Sequence, residues 1–218
     1  MPRVDSKFAS MAKHLYFVRH GESTSNKERV FIGSGATLTE EGKRQAELVA
    51  ERFTRIPIDA LVSSSFIRAR ETAEPIAKIT GLPIEESDLL IERRLPSIQR
   101  GKSHDDPEAK NLITLLINNF GTEGFRHSDE ENFDDIKKRA LAAISFLENH
   151  PAERLCVVSH GIFLRALFCG FVFGPTFTGH DFRQAFRAMS TSNTGISYIT
   201  IGDYGWTVSS WNDSNHLG

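Results

Sequence analysis

Apolar and polar positions follow two rhythms along the chain, one of period two and one of period near 3.6. His14 to Val18 is a short apolar run that meets Arg19-His20-Gly21, the pattern of a buried strand ending in a turn. Thr39 then caps a stretch to about Phe53 in which Ala46, Val49, Ala50 and Phe53 share one helical face. Ala60-Leu61-Val62 predicts a second strand, with Ser63-Ser64-Ser65 as the turn after it. From about Phe66 to Thr80, Ala69, Ala73, Ile76 and Ala77 recur at helical spacing, and Gly81 stops the helix. Leu82 to Glu86 predicts a short third strand.

The middle of the chain is less regular. Residues 93–128 are polar and loop-like, apart from an apolar helical patch at Asn111 to Phe120. Ser128-Asp129-Glu130-Glu131 has capping-box spacing, and Phe133, Ile136, Ala140, Ile144 and Leu147 carry a helix to about Asn149. The acidic run Asp129 to Glu131 then reads as helix-start charge complementing the macrodipole. Leu155 to Ser159 predicts a strand and His160 to Phe171 a buried helix, followed by a loop over 172–192 that sets selectivity together with 93–128. Ile196 to Ile201 and Trp206 to Ser210, joined by Gly202-Asp203-Tyr204-Gly205, predict a closing hairpin.

Strands that alternate with helices predict an α/β fold, a three-layer α/β/α sandwich around a mostly parallel central sheet that ends in the C-terminal hairpin. The expected organisation is a flexible tail at 1–13 and a single catalytic domain at 14–218, with an inserted cap-like segment at about 93–128. Active sites in such sheets lie at the carboxyl ends of the strands. His20 and His160 each follow a predicted strand, which is the first sign that they meet.

Composition narrows the function classes. With 218 residues, 39% hydrophobic and 25% charged, the chain has the make-up of an ordinary globular protein. A formal net charge of -2 supplies no global field for nucleic acid or an anionic membrane, so neither is an expected partner, and any anion must be held by a local pocket. Cys156 and Cys169 lie in apolar runs and read as free buried thiols of a reducing compartment. No Cys/His cluster has metal-site spacing. Met1 to Lys13 lacks the apolar core of a signal peptide, and Ile162 to Phe173 is interrupted by Arg165 and far short of the roughly 20 residues of a membrane helix. The expected location is cytoplasmic. Oligomeric state is open, a homodimer being one option.

The candidate chemistry centres on Arg19-His20-Gly21-Glu22-Ser23. Arg-His-Gly alone would occur in about 1 of 20 shuffled chains of this composition, and the pentapeptide in about 1 of 3,000. With Val18 and Asn26 it is followed by Leu38-Thr39, Gly42 and Gln45-Ala46, and then by Ser63-Ser64-Ser65-Phe66-Ile67-Arg68-Ala69 with Thr72-Ala73. Leu90-Ile91-Glu92-Arg93, Val157-Val158-Ser159-His160-Gly161 and Asn193 complete the series. In these pieces and their order, over most of residues 14–201, the chain resembles the phosphoglycerate-mutase-like branch of the histidine phosphatase superfamily.

The resemblance implies a phosphoglycerate-mutase-like fold and a small phosphorylated substrate, with no metal and no other cofactor. It implies His20 as the nucleophile that forms a phosphohistidine, and Arg19, Arg68 and His160 as the phosphate pocket. Glu92 would be the proton donor to the leaving oxygen, and Ser23, Asn26, Gly33 and Gly161 further substrate-binding positions. The residue types suit that chemistry. Guanidinium forks match phosphate oxygens and disfavour protonation of His20, and fixed donors stabilise the charge of the transition state. At Glu92 the chain departs from the family, which often has a glycine a few residues later, where Leu95-Pro96-Ser97 stands here.

Hydrolysis is the favoured reaction. A phosphoglycerate mutase must also hold a carboxylate and a second phosphate, yet Arg93, Arg94, Arg100, Lys102, Lys110 and Arg126 are dispersed and the insertion is short. The mutases also tend to place a small hydroxyl residue before the glycine that is here Gly33, and Ile32 stands there. Phosphoryl transfer of the mutase type is the alternative, and an inactive phosphate-binding protein on this fold is the second alternative.

Overall fold

Alternating side chains along the central strands make both sheet faces apolar. In the computed structural model, which describes residues 13–122, 124–202 and 205–218, the strands are β1 (Lys13–Arg19), β2 (Ala60–Ser64), β3 (Ile84–Ser87), β4 (Arg154–Ser159), β5 (Ile196–Gly202) and β6 (Gly205–Asp213). They form one sheet in the order β3-β2-β4-β1-β5-β6. The first four in that order are parallel, and β5 and β6 run antiparallel at one side. The helices are α1 (Thr24–Glu28), α2 (Glu40–Arg52), α3 (Ile67–Thr80), α4 (Pro107–Asn119), α5 (Phe133–Glu148), α6 (Gly161–Phe173) and α7 (Gly179–Ala188).

Leu15, Phe17, Leu155 and Val157 point to one face, where they pack with Ile136, Ala140 and Leu147 of α5 and Phe163 and Leu167 of α6. Val18, Leu61, Cys156 and Val158 point to the other, against Val49 and Ala50 of α2 and Ala69, Ala73 and Ile76 of α3. The chain is thus the α/β sandwich that the alternation predicts, with a mixed sheet. Both cysteines are free and buried, and burial pushes the Cys169 thiol up to about 12 and the Cys156 thiol up as well, which leaves them unreactive. Among the described residues, no helix is long and apolar enough to cross a membrane.

Several local expectations change. Lys13 is the first residue of β1, paired with Ile201, rather than the end of a tail, and residues 1–12 of that tail lie outside the described residues. Ser63 and Ser64 belong to β2, because their backbone pairs with β3. The cap of α5 is Asn132, which exchanges hydrogen bonds with Asp135, and not Ser128. Glu130 and Glu131 are therefore not solvated helix-start charge. They are buried before the helix, Glu131 by Arg139, which lies on α5, and Glu130 by the N–H groups of His127 and Ser128. The span 172–192 contains α7, capped by Thr178 and anchored by buried Phe182 and Ala185.

The turn after β1 depends on a close backbone approach. An added Cβ on Gly42 would stand 2.0 Å from the Glu22 carbonyl oxygen, and one on Gly21 would stand 2.5 Å from that of Gly42. Only glycines let α2 press against this turn. Thr39 and Gln45 then hold Glu22, through Thr39 N–H to the Glu22 carbonyl (2.9 Å) and Glu22 N–H to Gln45 Oε1 (2.9 Å).

Candidate active site

His20 and His160 meet because β1 and β4 are parallel neighbours whose last paired residues are Arg19 and Ser159. His20 N–H donates to the Ser159 carbonyl at 3.0 Å, and the two imidazole centroids stand 5.0 Å apart. Both rings are buried, at 3% and 0% exposure. The strand pairing alone thus puts one histidine on each side of a single point above the sheet.

The protonation state of His20 follows from its partners. Nδ1 lies 2.7 Å from the Gly21 carbonyl oxygen, an atom that can only accept. Nδ1 therefore holds the proton, and Nε2 carries the lone pair. Burial, and then the charges of Arg68 and Arg19, hold the ring well below the usual histidine range, so it is neutral at physiological pH. Asn193 donates its amide to the His20 carbonyl at 2.9 Å, and Thr72 accepts Gly21 N–H at 3.0 Å, so the backbone that carries the ring is pinned from both sides.

Arg68, in the first turn of α3, donates from Nε to His20 Nε2 at 3.1 Å and from Nη1 to the Gly33 carbonyl at 2.8 Å. Gly33 turns that carbonyl toward the guanidinium with φ of 78°, a backbone state that favours glycine. Burial lowers Arg68 to about 10, still cationic at neutral pH. Arg19 donates from Nη1 to the Thr191 carbonyl.

His160 bonds through Nε2 to Ser64 Oγ at 2.8 Å, and Ser64 Oγ also receives Phe66 N–H at 3.3 Å. Ser64 is fully buried and its hydroxyl has no other acceptor among the described residues, so its proton goes to His160 Nε2 and the ring proton to Nδ1. Four buried side-chain nitrogen or oxygen atoms among the described residues have no hydrogen-bond partner. Two of the four, Arg19 Nε and His160 Nδ1, belong to this cluster, and both are donors. Buried donors left without acceptors are costly unless a ligand supplies them, and an oxyanion would.

Glu92 sits at the amino end of α6. Its Oε2 accepts Ile162 N–H at 3.2 Å, and its Oε1 accepts Phe163 N–H at 3.0 Å and Arg93 N–H at 2.9 Å. Both lone pairs of Oε1 are thereby used, and one on Oε2 stays free. Glu92 also lies within electrostatic reach of Arg19 and Arg68 and raises the proton affinity of both. The five residues expected to act together, Arg19, His20, Arg68, Glu92 and His160, are all at this one place.

A model of the histidine phosphatase superfamily, branch 1, matches residues 15–214. The chain belongs to that superfamily. Across 98% of its length it is 31% identical to a metal-independent phosphoserine phosphatase of Arabidopsis thaliana, 87% of which is covered. Across 93% of its length it is 34% identical to a Citrobacter koseri protein named Probable phosphoglycerate mutase GpmB, 94% of which is covered. Among solved structures, Bacillus stearothermophilus YhfR superposes with a TM-score of 0.81 at 27% identity, over 94% of this chain and all of that one.

The remaining expected positions of this superfamily member divide in two. Ser23 is fully buried and caps α1, with its hydroxyl and N–H on Asn26 Oδ1, so it serves the turn. Asn26 itself is exposed, Gly33 orients Arg68 through its carbonyl, and Gly161 opens α6 beside Arg19. Residue patterns missed Ser64, Thr72 and Arg165. Ser64 and Thr72 lay within motif segments, but only their hydrogen bonds show that they orient His160 and Gly21. Arg165 looked like a break in an apolar helix, and only its distances tie it to the site. Two phenylalanines border the cluster: Phe66, 5.3 Å from the His160 ring, and Phe186, 5.0 Å from the Arg165 guanidinium.

Proposed function

We propose that this chain is a metal-independent phosphatase that hydrolyses small phosphate monoesters through a phosphohistidine on His20. The observation that carries this reading is the His20 ring itself, neutral, with its proton fixed on Nδ1 and its Nε2 lone pair facing Arg68 at 3.1 Å. In the first half-reaction Nε2 attacks phosphorus and the P–O bond to the leaving alcohol breaks. The Gly21 carbonyl supports the positive charge that grows on the ring. Arg19, Arg68 and His160 Nδ1–H bind the equatorial oxygens, where fixed guanidinium and imidazole donors stabilise the transition state.

Glu92 Oε2, the carboxylate atom with a free lone pair, delivers a proton to the leaving oxygen. In the second half-reaction it takes a proton from the water that attacks phosphorus as the P–N bond breaks, and neutral His20 returns. Hydrolysis is favoured over mutase transfer by the state of the inserted cations. Lys102, Lys110 and Arg126 are paired with Glu108, Asp105 and Asp135, and Arg93 lies 4.1 Å over the Phe120 ring with its Nε on the Glu131 carbonyl, so four of the six inserted cations have other partners.

With p-nitrophenyl phosphate, phosphate release is expected to persist in EDTA, and its loss there would remove the metal-free claim. Phosphoglycerate interconversion that outran phosphate release in the presence of bisphosphoglycerate would make the enzyme a mutase. A binding-only protein would release phosphate from no ester. Glu92→Gln is expected to slow an alkyl ester by about 100-fold and the aryl ester far less, since nitrophenolate leaves without a proton. Equal losses on both esters would count against Glu92 as the acid.

A further inference from the structure

Of the four buried polar atoms without a partner, His216 Nδ1 lies outside the phosphate pocket yet beside the loop that holds it. His216 sits in a 3₁₀ turn over Asn215–Leu217, after β6 and against α2. Its Nε2 lies 2.9 Å from Thr194 Oγ, which in turn lies 2.8 Å from the Asn193 carbonyl oxygen. That carbonyl can only accept. If the hydroxyl proton went to His216, two oxygen lone pairs would face each other at 2.8 Å. The proton therefore lies toward Asn193, and His216 Nε2–H donates to Thr194. Nδ1 is left with a buried lone pair.

Thr194 is the point at which this loop is under strain. It is fully buried, and its φ of 56° is a left-handed state that a β-branched residue rarely adopts. Such a state persists only where the surroundings impose it. From this kink, Thr194 N–H donates to the Arg19 carbonyl at 2.9 Å, and the Gly195 carbonyl accepts Arg19 N–H at 3.3 Å. Asn193 Nδ2 donates to the His20 carbonyl at 2.9 Å. Three consecutive loop residues thus fix the peptide groups of two consecutive site residues. The Thr191 carbonyl, in the same loop, holds the Arg19 guanidinium. Asn212 of β6 grips the loop near its start, where its Oδ1 accepts Ser192 N–H at 2.6 Å.

We propose that His216 is a positioning residue: through the Thr194 hydroxyl it holds the 191–195 loop in the shape that aims His20 and Arg19 at phosphorus. The role deepens the phosphatase reading and rests on it. Acid should open the clasp, because protonation would place a charge and a second N–H where no acceptor stands. Burial and then Arg52 of α2 lower the proton affinity of His216, and Asp213 of β6 opposes them. The loop brings only hydroxyl and amide groups to it. The neutral ring is the holding form, so the clasp is complete at neutral pH and is lost in acid, below the ordinary histidine value of 6.5.

The test is hydrolysis of p-nitrophenyl phosphate and of glycerol 3-phosphate at neutral pH and at about pH 5.5, below each variant's melting transition. His216→Phe should lower kcat about 10-fold on both esters with KM changed less, since it misplaces the nucleophile and not the proton donor. His216→Gln, whose amide can donate to the same hydroxyl, should restore most of that rate. It should also keep a larger share of its neutral rate in acid than the wild type does. Thr194→Val should match His216→Phe, and Thr194→Ser should stay near the wild type. Combining His216→Phe with Thr194→Val should cost no more than either alone. If His216→Phe does not fold, the Gln variant's acid profile and the two Thr194 variants decide. A rate for folded His216→Phe within about 2-fold of the wild type, a Gln variant no better than Phe, or additive losses would each overturn the proposal. Should the wild type hydrolyse no ester, the phosphatase reading fails instead. Calorimetric affinity for inorganic phosphate then decides: weakening by His216→Phe and recovery by His216→Gln support the clasp, and equal affinities overturn it.

Discussion

His20→Ala is expected to lower hydrolysis of p-nitrophenyl phosphate by about 10⁴-fold or more while the chain stays folded. No neighbour can replace the lost lone pair. His160, 5.0 Å away between ring centroids, has its Nε2 engaged by Ser64, Arg19 and Arg68 are guanidinium donors, and the Glu92 carboxylate is held by the N–H groups of Arg93, Ile162 and Phe163. Phosphate would still be drawn to Arg19 and Arg68, so the loss should appear in kcat more than in KM. The substitution removes two hydrogen bonds, from Nδ1 to the Gly21 carbonyl and from Arg68 Nε to Nε2, and leaves one acceptor and one donor buried at a cost of about 1–3 kcal/mol each. Circular dichroism and a thermal melt check the fold, and a stopped assay checks turnover. A variant that retained a tenth of the activity would place the nucleophile elsewhere.

The largest effect on stability is expected from Arg139→Met. Arg139 makes four hydrogen bonds, from Nε to Glu131 Oε1 (2.7 Å), from Nη2 to Glu131 Oε2 (2.6 Å), and from Nη1 to the carbonyls of Ile91 (2.7 Å) and Leu89 (3.0 Å). Its guanidinium also lies 4.0 Å over the Phe163 ring. Glu131 is 2% exposed, so removing Arg139 strands a buried carboxylate, at a cost of about 3–5 kcal/mol. In a domain of this size that is a fall of about 6–20 °C in Tm. Urea unfolding and calorimetry measure it. Adding Glu131→Leu should recover much of the loss, because the stranded charge goes with it. The Ile91 carbonyl precedes Glu92, so the surviving folded Arg139→Met enzyme should be slower on alkyl esters than on aryl esters. A loss below about 1 kcal/mol would mean that the pair is solvated and holds nothing in place.

Those two residues mark the limits of what could be read without the structure. His20 was legible because a strand, a turn and a motif coincide at one place in the chain. Arg139 was not, since an arginine on an amphipathic helix looks the same whether it faces water or a buried glutamate. The Asp129 to Glu131 run misled for the same reason. Acidic residues before a helix are ordinarily solvated, and here Arg139 and the N–H groups of His127 and Ser128 take two of them inside. The serines after Ala60-Leu61-Val62 looked like a turn because they are polar, but β3 pairs with their backbone and His160 takes the Ser64 hydroxyl. The α7 segment opens after Gly174-Pro175 and has a thin apolar face, so its pattern reads as loop until Phe182 and Ala185 are seen to be buried.

Local pattern by itself determined the order of the six strands and of α2, α3, α5 and α6, the caps at Thr39 and Gly81, and the placing of His20 and His160 at strand ends. Each of these depends on neighbours in the chain, through side-chain alternation, hydrogen bonding at helix ends and backbone preference. Tertiary structure alone decided that β1 and β4 are adjacent, that the His20 proton sits on Nδ1 with Nε2 against Arg68, and that Glu92 caps α6. It also decided that Arg165 stands beside Gly161. These facts are distances between residues tens of positions apart, and no periodicity encodes them. They are set when two apolar sheet faces are buried at once, which brings the polar ends of separate elements to one point.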